Sequence, residues 1–284
     1  GFEGHYSNAI VIAASEARNN NPHCKAENQP TCYLGNINNI TAIVVGDSHA
    51  QALATAVEAA YKIDLKDSGI VVLKSYGCPF ILNAKLVGYN DSCYIENKRR
   101  MEFLNSNYSG VPVFWIARTG VYLFGISQPH RVNNTRDTEP LIYFTKTYSK
   151  TKEPLYEELK VNLNATIKKL MVNHPVYIVQ PTPEMIKHVP KEMAKNILLN
   201  RENDHLSLDY ELYLKRHEQV RNLIAEVAIT NSVQVLDPIP YLCKSGRCIA
   251  QHKGRPIYFD SNHMSEYGNK LLIPMFQLAI ENQL

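Results

Sequence analysis

The sequence predicts an α/β domain built on a parallel, doubly wound sheet of about five strands with helices on both faces. Short apolar runs rich in β-branched residues alternate with longer stretches of helical periodicity along most of the chain. This alternation is typical of parallel sheets, because each crossover between parallel strands needs a connecting helix. At 284 residues, of which 45% are apolar and 20% charged, the chain is long enough for one large domain of this class.

Strands and helices are expected in a regular order. The predicted strands are 42–45, 70–73, 111–116, 176–179 and 233–236. The predicted helices are 50–61, 95–105, 154–172, 210–229 and 263–278. Pro154 would lie in the first turn of the third helix, where a missing N–H costs nothing. In such a sheet, ligands bind at the carboxyl ends of the strands.

Three segments show no pattern of regular structure. Residues 1–39 are polar, and we expect a connector or small extension there, followed by one domain over residues 40–284. Because the chain opens on Gly1, we expect it to be a piece of a longer protein. Segments 120–148 and 182–209 are long and polar, and each is either the border of a substrate groove or a solvated insertion.

Charge and hydropathy exclude two classes of protein. The formal net charge is +3 and the pI is near 8.4. A nucleic-acid-binding protein would show a concentrated basic stripe, which this balance does not indicate. No apolar run approaches the roughly 20 residues that span a bilayer.

The six cysteines fall into three close pairs, which are Cys24 with Cys32, Cys78 with Cys93, and Cys243 with Cys248. Six cysteines allow about 15 connectivities, and local spacing favours these three bridges. One alternative is a metal site, but the Cys-x-x-Cys spacing that would favour it is missing here. The other alternative is free buried thiols. Disulfides would indicate an oxidising compartment such as the bacterial periplasm or the cell exterior.

The segment Gly46-Asp47-Ser48-His49 follows the first predicted strand and precedes the first predicted helix. A glycine permits a tight turn, and a helix N-terminus directs unpaired N–H groups and partial positive charge towards the serine. This context predicts that Ser48 is a nucleophile. The alternative is a simple helix start capped by Asp47 or Ser48.

Asp260 and His263 lie near the other end of the chain, three residues apart. A serine hydroxyl needs a base, and imidazole titrates near neutral pH, so His263 is the candidate base. Asp260 would orient its ring and stabilise the imidazolium. The alternative is a helix-capping aspartate beside a surface histidine.

These motifs resemble the SGNH (GDSL-type) hydrolase superfamily, and in particular the SGNH domains fused to membrane acyltransferase-3 proteins. Five segments carry the resemblance over residues 43–284: Gly46-Asp47-Ser48-His49-Ala50, Ser75-Tyr76-Gly77-Cys78-Pro79, Val113-Phe114-Trp115-Ile116-Ala117-Arg118, Pro181-Thr182-Pro183-Glu184-Met185 with Val189-Pro190, and Asp260-Ser261-Asn262-His263-Met264-Ser265. Two features depart from the pattern. Thr119 stands where a tryptophan often follows Ala-Arg, and the usual Gly-x-Asn-Asp block is missing.

The resemblance implies the SGNH hydrolase fold, a flavodoxin-like sheet, and a catalytic triad of Ser48, Asp260 and His263. For the oxyanion hole we expect the backbone N–H of Ser48 and that of Gly77, where a glycine allows close approach. Arg118 is the candidate for the third donor in place of the missing Asn, and its alternative role is a structural ion pair.

The resemblance also implies an O-acetyltransferase module in the periplasm that modifies a surface glycan such as lipopolysaccharide O-antigen. The partners would be a carbohydrate acceptor and an N-terminal acyltransferase-3 membrane domain of the same full-length chain. The domain itself would bind no cofactor, since the acetyl group would come from acetyl-CoA through the membrane domain. The alternatives are a carbohydrate acetylesterase with the same triad and a non-catalytic glycan-docking domain.

Overall fold

The computed structural model describes residues 7–18, 24, 31–65, 67–126, 139–149, 153–203 and 206–281. In chain order the strands are β1 (Thr31–Gly35), β2 (Ile40–Gly46), β3 (Gly69–Lys74), β4 (Lys85–Leu86), β5 (Val113–Ile116), β6 (Ile142–Tyr143), β7 (Val176–Val179), β8 (Leu208–Asp209), β9 (Gln234–Leu236), β10 (Cys243–Lys244), β11 (Arg247–Cys248), β12 (Gln251–His252) and β13 (Arg255–Pro256). The helices are α1 (Asn8–Ser15), α2 (Ser48–Asp64), α3 (Ser92–Ser106), α4 (Thr119–Phe124), α5 (Glu153–Leu170), α6 (Val189–Leu198), α7 (Tyr210–Asn231), α8 (Ile239–Leu242), α9 (Glu266–Asn269) and α10 (Ile273–Glu281).

A six-stranded sheet with the order β1-β3-β2-β5-β7-β9 forms the centre of the fold. The last five strands of this order are parallel, and β1 pairs antiparallel with β3 at the edge. The predicted doubly wound α/β sheet is therefore confirmed, with all five predicted strands present. The chain crosses over between β3 and β5, so the strand order reverses at β2, where a ligand site is expected.

Two apolar layers cover the two faces of this sheet, because successive side chains of a strand point to opposite sides. Phe114 and Ile116 of β5 pack in one layer, together with residues of α2 and α10. Val113 and Trp115 pack in the other layer, together with residues of α3, α5 and α7. The layers fix β2 and β5 in the middle of the molecule.

Four of the five predicted helices are present as α2, α3, α5 and α7. The single helix predicted over 263–278 is wrong, because the structure has the short α9 and then α10. Ser265 caps α9 by accepting the backbone N–H of Gly268, and Pro274 lies in the first turn of α10. His263 therefore precedes both helices, in a loop closed by the Phe259 N–H and the His263 carbonyl at 3.0 Å.

Regular structure also occurs where none is expected. Within 1–39, residues 8–15 form α1, and residues 31–35 form β1, which occupies the open edge of β3. The expectation of an irregular segment is wrong there, because unpaired strand edges are favourable pairing sites. Within 120–148 and 182–209 the structure has most of α4, as well as β6, α6 and β8; residues 127–138 and 204–205 lie outside the described ones.

Disulfide bonds join all three predicted cysteine pairs. Cys78–Cys93 connects the segment after β3 to α3, and Cys243–Cys248 joins β10 to β11. Among the described residues, no helix has the length and apolar character needed to cross a membrane.

Candidate active site

The nucleophile candidate Ser48 is the first residue of α2, directly after β2. Asp47 caps the helix by accepting the His49 N–H at 2.8 Å. Gly46 lies so close to β5 that an added Cβ would come 1.7 Å from the Ile116 carbonyl oxygen. Only a glycine fits there, so the turn that presents Ser48 depends on Gly46.

His263 connects Ser48 to Asp260. Its Nε2 lies 2.8 Å from Ser48 Oγ, and its Nδ1 lies 2.7 Å from Asp260 Oδ2. An ionised carboxylate can only accept a hydrogen bond, so Nδ1 of His263 carries the hydrogen and donates it to Asp260. Nε2 is then without a hydrogen and can accept from the serine hydroxyl. The structure thus brings the three predicted residues into one hydrogen-bonded chain, although 212 residues separate Ser48 from Asp260 along the sequence.

Backbone donors hold the Asp260 carboxylate. Its Oδ1 accepts the N–H of Asn262 at 2.7 Å and the N–H of His263 at 2.8 Å. Burial raises the pKa of Asp260, but the hydrogen bond and charge of His263, together with the two backbone N–H groups, outweigh burial and hold the pKa below its usual range. The carboxylate is therefore ionised at neutral pH.

Two aromatic rings pack against the imidazole of His263. The Phe259 ring stacks on it with centroids 5.1 Å apart, and the His49 ring lies 4.6 Å away at a tilt. His49 is buried, and its Nε2 lies 3.0 Å from Asn262 Oδ1. Burial, followed by the nearby charge of His263, lowers the pKa of His49 to about 4. His49 is therefore a neutral neighbour that helps to fix the loop of Asp260 and His263.

Asp47 has a structural position rather than a reactive one. Its Oδ2 accepts the backbone N–H of Arg118 at 2.8 Å and the hydroxyl of Tyr122 at 2.7 Å. The side chain is 1% exposed, so these bonds and the helix cap occupy it. Burial, followed by the charge of Asp47, raises the pKa of Tyr122, which therefore stays a neutral donor. Asp47 ties the nucleophile turn to the residues after β5.

The three oxyanion-hole candidates have different surroundings. The Ser48 N–H belongs to the first turn of a 17-residue helix, where it has no partner within the helix. Gly77 lies in an exposed turn after β3 at a φ of 65°. A Cβ there would meet nothing within 4 Å, so this glycine serves the turn conformation rather than a close approach. The roles of all three as donors stay predictions.

Arg118 forms the structural ion pair that was its alternative interpretation. One of its terminal nitrogens lies 2.6 Å from Glu184 Oε2, while its Nε has no hydrogen-bond partner among the described residues. Burial lowers the pKa of Arg118, but the charge and hydrogen bond of Glu184, followed by the charges of Asp47 and Asp260, outweigh burial and raise the pKa. The ion pair anchors the side chain beside the site.

Sequence reasoning missed the part played by Glu184. This carboxylate is 1% exposed, with Arg118 at 2.6 Å and Arg216 and His217 each at 3.8 Å. Burial raises its pKa, but the two arginines outweigh burial and hold the pKa well below the usual range. Burial lowers the pKa of His217 to about 3, so that histidine is neutral. The resemblance in Pro181–Met185 marked this loop, but no local signal shows that its carboxylate is buried.

The Glu184 loop is hydrogen-bonded to the loop that carries Asp260 and His263. The Met185 N–H donates to the Ser261 carbonyl at 2.6 Å, and the Val189 N–H donates to the Asp260 carbonyl at 3.0 Å. These bonds connect the Glu184 loop and the start of α6 to the backbone of Asp260 and Ser261. No group of three or more His, Cys, Asp or Glu side chains within the described ranges is arranged to hold a metal ion.

The family model for SGNH domains fused to AT3 domains matches residues 15–278. No curated protein matches the sequence. Among solved structures, the periplasmic domain of a lipopolysaccharide acetyltransferase from Salmonella ser. Paratyphi A is similar with a TM-score of 0.60 and 15% identity, covering 99% of this chain and 100% of that one.

Two further structures are more distant. A lipolytic G-D-S-L family protein from Veillonella parvula has a TM-score of 0.46 and 12% identity, covering 86% of this chain and 100% of that one. A GDSL-like lipase from Bacteroides thetaiotaomicron has a TM-score of 0.42 and 12% identity, covering 98% of both chains. At 15% identity, the likeness to the Salmonella domain supports the fold alone. The family model matches most of the sequence and therefore identifies the family. The chain belongs to the family of SGNH domains that are fused to AT3 domains.

Proposed function

We propose that this chain is the periplasmic O-acetyltransferase domain of a membrane protein, and that it places an acetyl group on a hydroxyl of a surface glycan. The hydrogen-bonded chain from Asp260 through His263 to Ser48 carries the proposal. Membership of the AT3-fused family supports acyl transfer, and the similar Salmonella domain comes from a lipopolysaccharide acetyltransferase. The three disulfides agree with an oxidising compartment.

Acylation of Ser48 would be the first half of the reaction. Ser48 Oγ attacks the acyl carbon of the donor ester while His263 Nε2 takes the hydroxyl proton. The negative charge that develops on the acyl oxygen faces the N-terminal N–H groups of α2, and each such donor is typically worth about 3–4 kcal/mol. The bond to the donor oxygen then breaks, and that oxygen receives the proton from His263. The product is an acetyl ester of Ser48.

Transfer would reverse these steps with a different oxygen. A sugar hydroxyl gives its proton to His263 Nε2 and attacks the acetyl carbon of the Ser48 ester. When the tetrahedral species collapses, Ser48 Oγ leaves and takes the proton back. Asp260 keeps Nδ1–H of His263 in place throughout and stabilises the imidazolium. In the full-length protein the donor would be supplied by the AT3 membrane domain, ultimately from acetyl-CoA, so this domain needs no cofactor of its own.

The experiment supplies p-nitrophenyl acetate as donor together with O-antigen oligosaccharides, and mass spectrometry follows acetylated sugar. We expect acceptor-dependent product from the wild type and none from Ser48→Ala or His263→Ala. The control Ser15→Ala changes an exposed serine of α1 whose hydroxyl donates to the Ile12 carbonyl of the same helix, and it should behave as the wild type does.

Water and sugar compete for the same acyl-serine, so the experiment also separates transfer from hydrolysis. Release of p-nitrophenol that needs Ser48, without any acetylated sugar and with removal of acetyl groups from an acetylated glycan, would make the domain a carbohydrate acetylesterase. Sugar binding without any Ser48-dependent release would make it a docking domain.

A further inference from the structure

A cavity of about 720 Å³ lies at the carboxyl ends of the strands, next to the loop that follows β3. Lys74 at the end of β3 and Tyr76 and Gly77 of that loop line it, and Tyr89 lines it from the segment after β4. Pockets that hold small molecules have volumes of about 300–1,000 Å³, so this cavity has room for far more than an acetyl group.

The cavity adjoins the turn that presents Ser48. Lys74 is the strand partner of Gly46, and the Ser75 N–H donates to the Gly46 carbonyl at 3.1 Å. Gly46 is two residues before Ser48, so the loop that lines the cavity is hydrogen-bonded to the nucleophile turn. Ser48, Asp260 and His263 do not line the cavity, so a ligand held there would approach Ser48 by extending past the bonded Ser75 and Gly46.

Two tyrosines of the cavity are unusually exposed for such large side chains, Tyr76 by 49% and Tyr89 by 70%. Lys74 fixes the first ring, since its ammonium lies 4.5 Å from the centre of the Tyr76 ring and 3.0 Å from the hydroxyl. Lys74 is itself buried and held by the Cys24 carbonyl at 2.6 Å. The ring of Tyr76 is thus a fixed aromatic surface that borders an open cavity.

Charged groups lie on the same wall. Glu96 and Arg99 of α3 line the cavity and form an ion pair at 3.6 Å, with Arg99 largely exposed. A carboxylate and a guanidinium can each bond two neighbouring hydroxyls, and tyrosine rings offer flat apolar faces with a polar tip. A pyranose ring has the matching chemistry, because it presents hydroxyls at its edge and C–H groups on its faces.

We propose that this cavity is the acceptor subsite, in which Tyr76 and Tyr89 stack on a sugar ring of a short oligosaccharide while Glu96 and Arg99 bind its hydroxyls. The role of the cavity as an acceptor site rests on the proposed function, in which a glycan hydroxyl receives the acetyl group. A short acyl group would fill little of the cavity and has no hydroxyls to bind Glu96 and Arg99.

The test measures glycan binding without turnover. Chains carrying Ser48→Ala are applied to an array of bacterial O-antigen oligosaccharides, alone and combined with Tyr76→Ala, Tyr89→Ala or Tyr89→Phe. We expect binding of at least one oligosaccharide, and a loss of affinity of about fivefold or more with either alanine, as for other aromatic contacts. Tyr89→Phe keeps the ring and should restore most of the binding. Tyr89 is so exposed that its replacement should leave the fold intact.

Tyr33→Ala is the matched control, because Tyr33 is another exposed tyrosine, on β1, that does not line the cavity. Binding of no oligosaccharide, or equal binding by the Tyr76, Tyr89 and Tyr33 variants, would overturn the proposal. So would a change in acyl-chain preference on p-nitrophenyl acetate, butyrate and octanoate in the Tyr89→Ala chain with Ser48 intact, since the cavity would then hold the acyl group.

The two proposals fail in different ways. If wild-type chain does not release p-nitrophenol but glycan binding still depends on Tyr76 and Tyr89, the subsite stands and acyl transfer falls. If p-nitrophenol release depends on Ser48 but glycan binding is unchanged by replacement of either tyrosine, the proposed acyl transfer is retained and the proposed subsite is rejected.

Discussion

The imidazole of His49 lies 4.6 Å from the imidazole of His263, and only the second ring bonds Ser48. The two histidines differ in burial and in partners. His49 bonds the Asn262 side chain, whereas His263 bonds a carboxylate and remains 18% exposed. One ring is thereby kept neutral beside the other, which avoids a second positive charge next to His263 in its proposed role as the base.

The first prediction concerns the acid side of the stability curve. His49 has a pKa of about 4 in the folded protein against an ordinary value of 6.5, because burial and the charge of His263 disfavour its protonation. The unfolded chain therefore binds a proton more readily, and folding loses stability as pH falls from about 6.5 to 4, by roughly 3 kcal/mol for a shift of this size. His49→Gln removes this titration and can still donate to Asn262.

Urea unfolding of both proteins at several pH values from 7.5 to 4 gives the measurement. We expect the free energy of unfolding of the wild type to fall relative to that of His49→Gln across this range. Curves that stay parallel would show that His49 is not held neutral. Acid-titrating carboxylates such as Asp260 are present in both proteins and cancel in the comparison.

The second prediction concerns Asp260. Asp260→Asn keeps an oxygen for the Asn262 and His263 N–H groups but removes the charge that selects Nδ1–H and stabilises the imidazolium. We expect kcat on p-nitrophenyl acetate to fall by about 10³–10⁴-fold in the folded variant, together with a loss of stability, because the charge that is favoured in the folded state is also removed. Asp67→Asn is the control, since Asp67 bonds Asn36 at the opposite, amino end of β3. A fall of less than tenfold at Asp260 would remove it from the triad.

The sheet and the meeting of Ser48, Asp260 and His263 in one hydrogen-bonded chain could be predicted from the sequence because their signals are local. β-branched runs mark the five parallel strands, and each half of the Ser48 and Asp260–His263 arrangement occupies a few consecutive residues. The order of the sheet then brings the halves together at the carboxyl edge. The sequence did not predict β1, because its five residues are flanked by polar segments. This strand forms because its backbone pairs with the edge of β3, which lies far away in the sequence.

Contacts between distant segments could not be predicted in the same way. Tyr122 bonds Asp47, and Glu184 bonds Arg118, across 75 and 66 residues respectively. Neither pair has a spacing that marks it, since burial of a polar group depends on the packing around it. The helix predicted over 263–278 was wrong for a related reason. Its apolar periodicity continues through 264–276, but the backbone of Phe259 and His263 closes a loop and Ser265 starts a new helix.

The third prediction follows from the buried charge of Glu184. Glu184→Gln would leave two largely buried arginines, Arg118 and Arg216, without the carboxylate that they share. Removal of one partner from a buried ion pair typically costs about 3–5 kcal/mol of folding free energy. Glu58→Gln is the control, because Glu58 pairs with the half-exposed Lys62 on α2, and a surface pair is worth about 1 kcal/mol or less.

Urea unfolding at pH 7 measures both variants. Equal losses for Glu184→Gln and Glu58→Gln would contradict the prediction. A useful companion is the double variant Glu184→Gln with Arg118→Met, which removes the charge of one of the two arginines and should recover part of the loss.

The last prediction concerns the disulfides. Arg100 donates to the Gly46 carbonyl at 2.6 Å and contacts Cys78 Sγ at 3.6 Å, so the Cys78–Cys93 bridge is connected to the nucleophile turn through one buried guanidinium. Cys243–Cys248 closes a hairpin with a separation of 5 residues, against 15 for Cys78–Cys93. A bridge that closes a longer loop removes more entropy from the unfolded chain. The Cys78–Cys93 bridge should therefore also contribute more to stability than the Cys243–Cys248 bridge.

We therefore expect the paired replacement of Cys78 and Cys93 by Ala to lower turnover of p-nitrophenyl acetate more than that of Cys243 and Cys248. Reduction of the oxidised wild type should raise its intact mass by about 6 Da, one hydrogen for each sulfur released from a bridge. The opposite ranking of the two paired variants would show that the Cys78–Cys93 bridge does not support the site. Normal turnover with Cys78 and Cys93 both replaced would lead to the same conclusion, because the Gly46 turn would then hold Ser48 without the bridge.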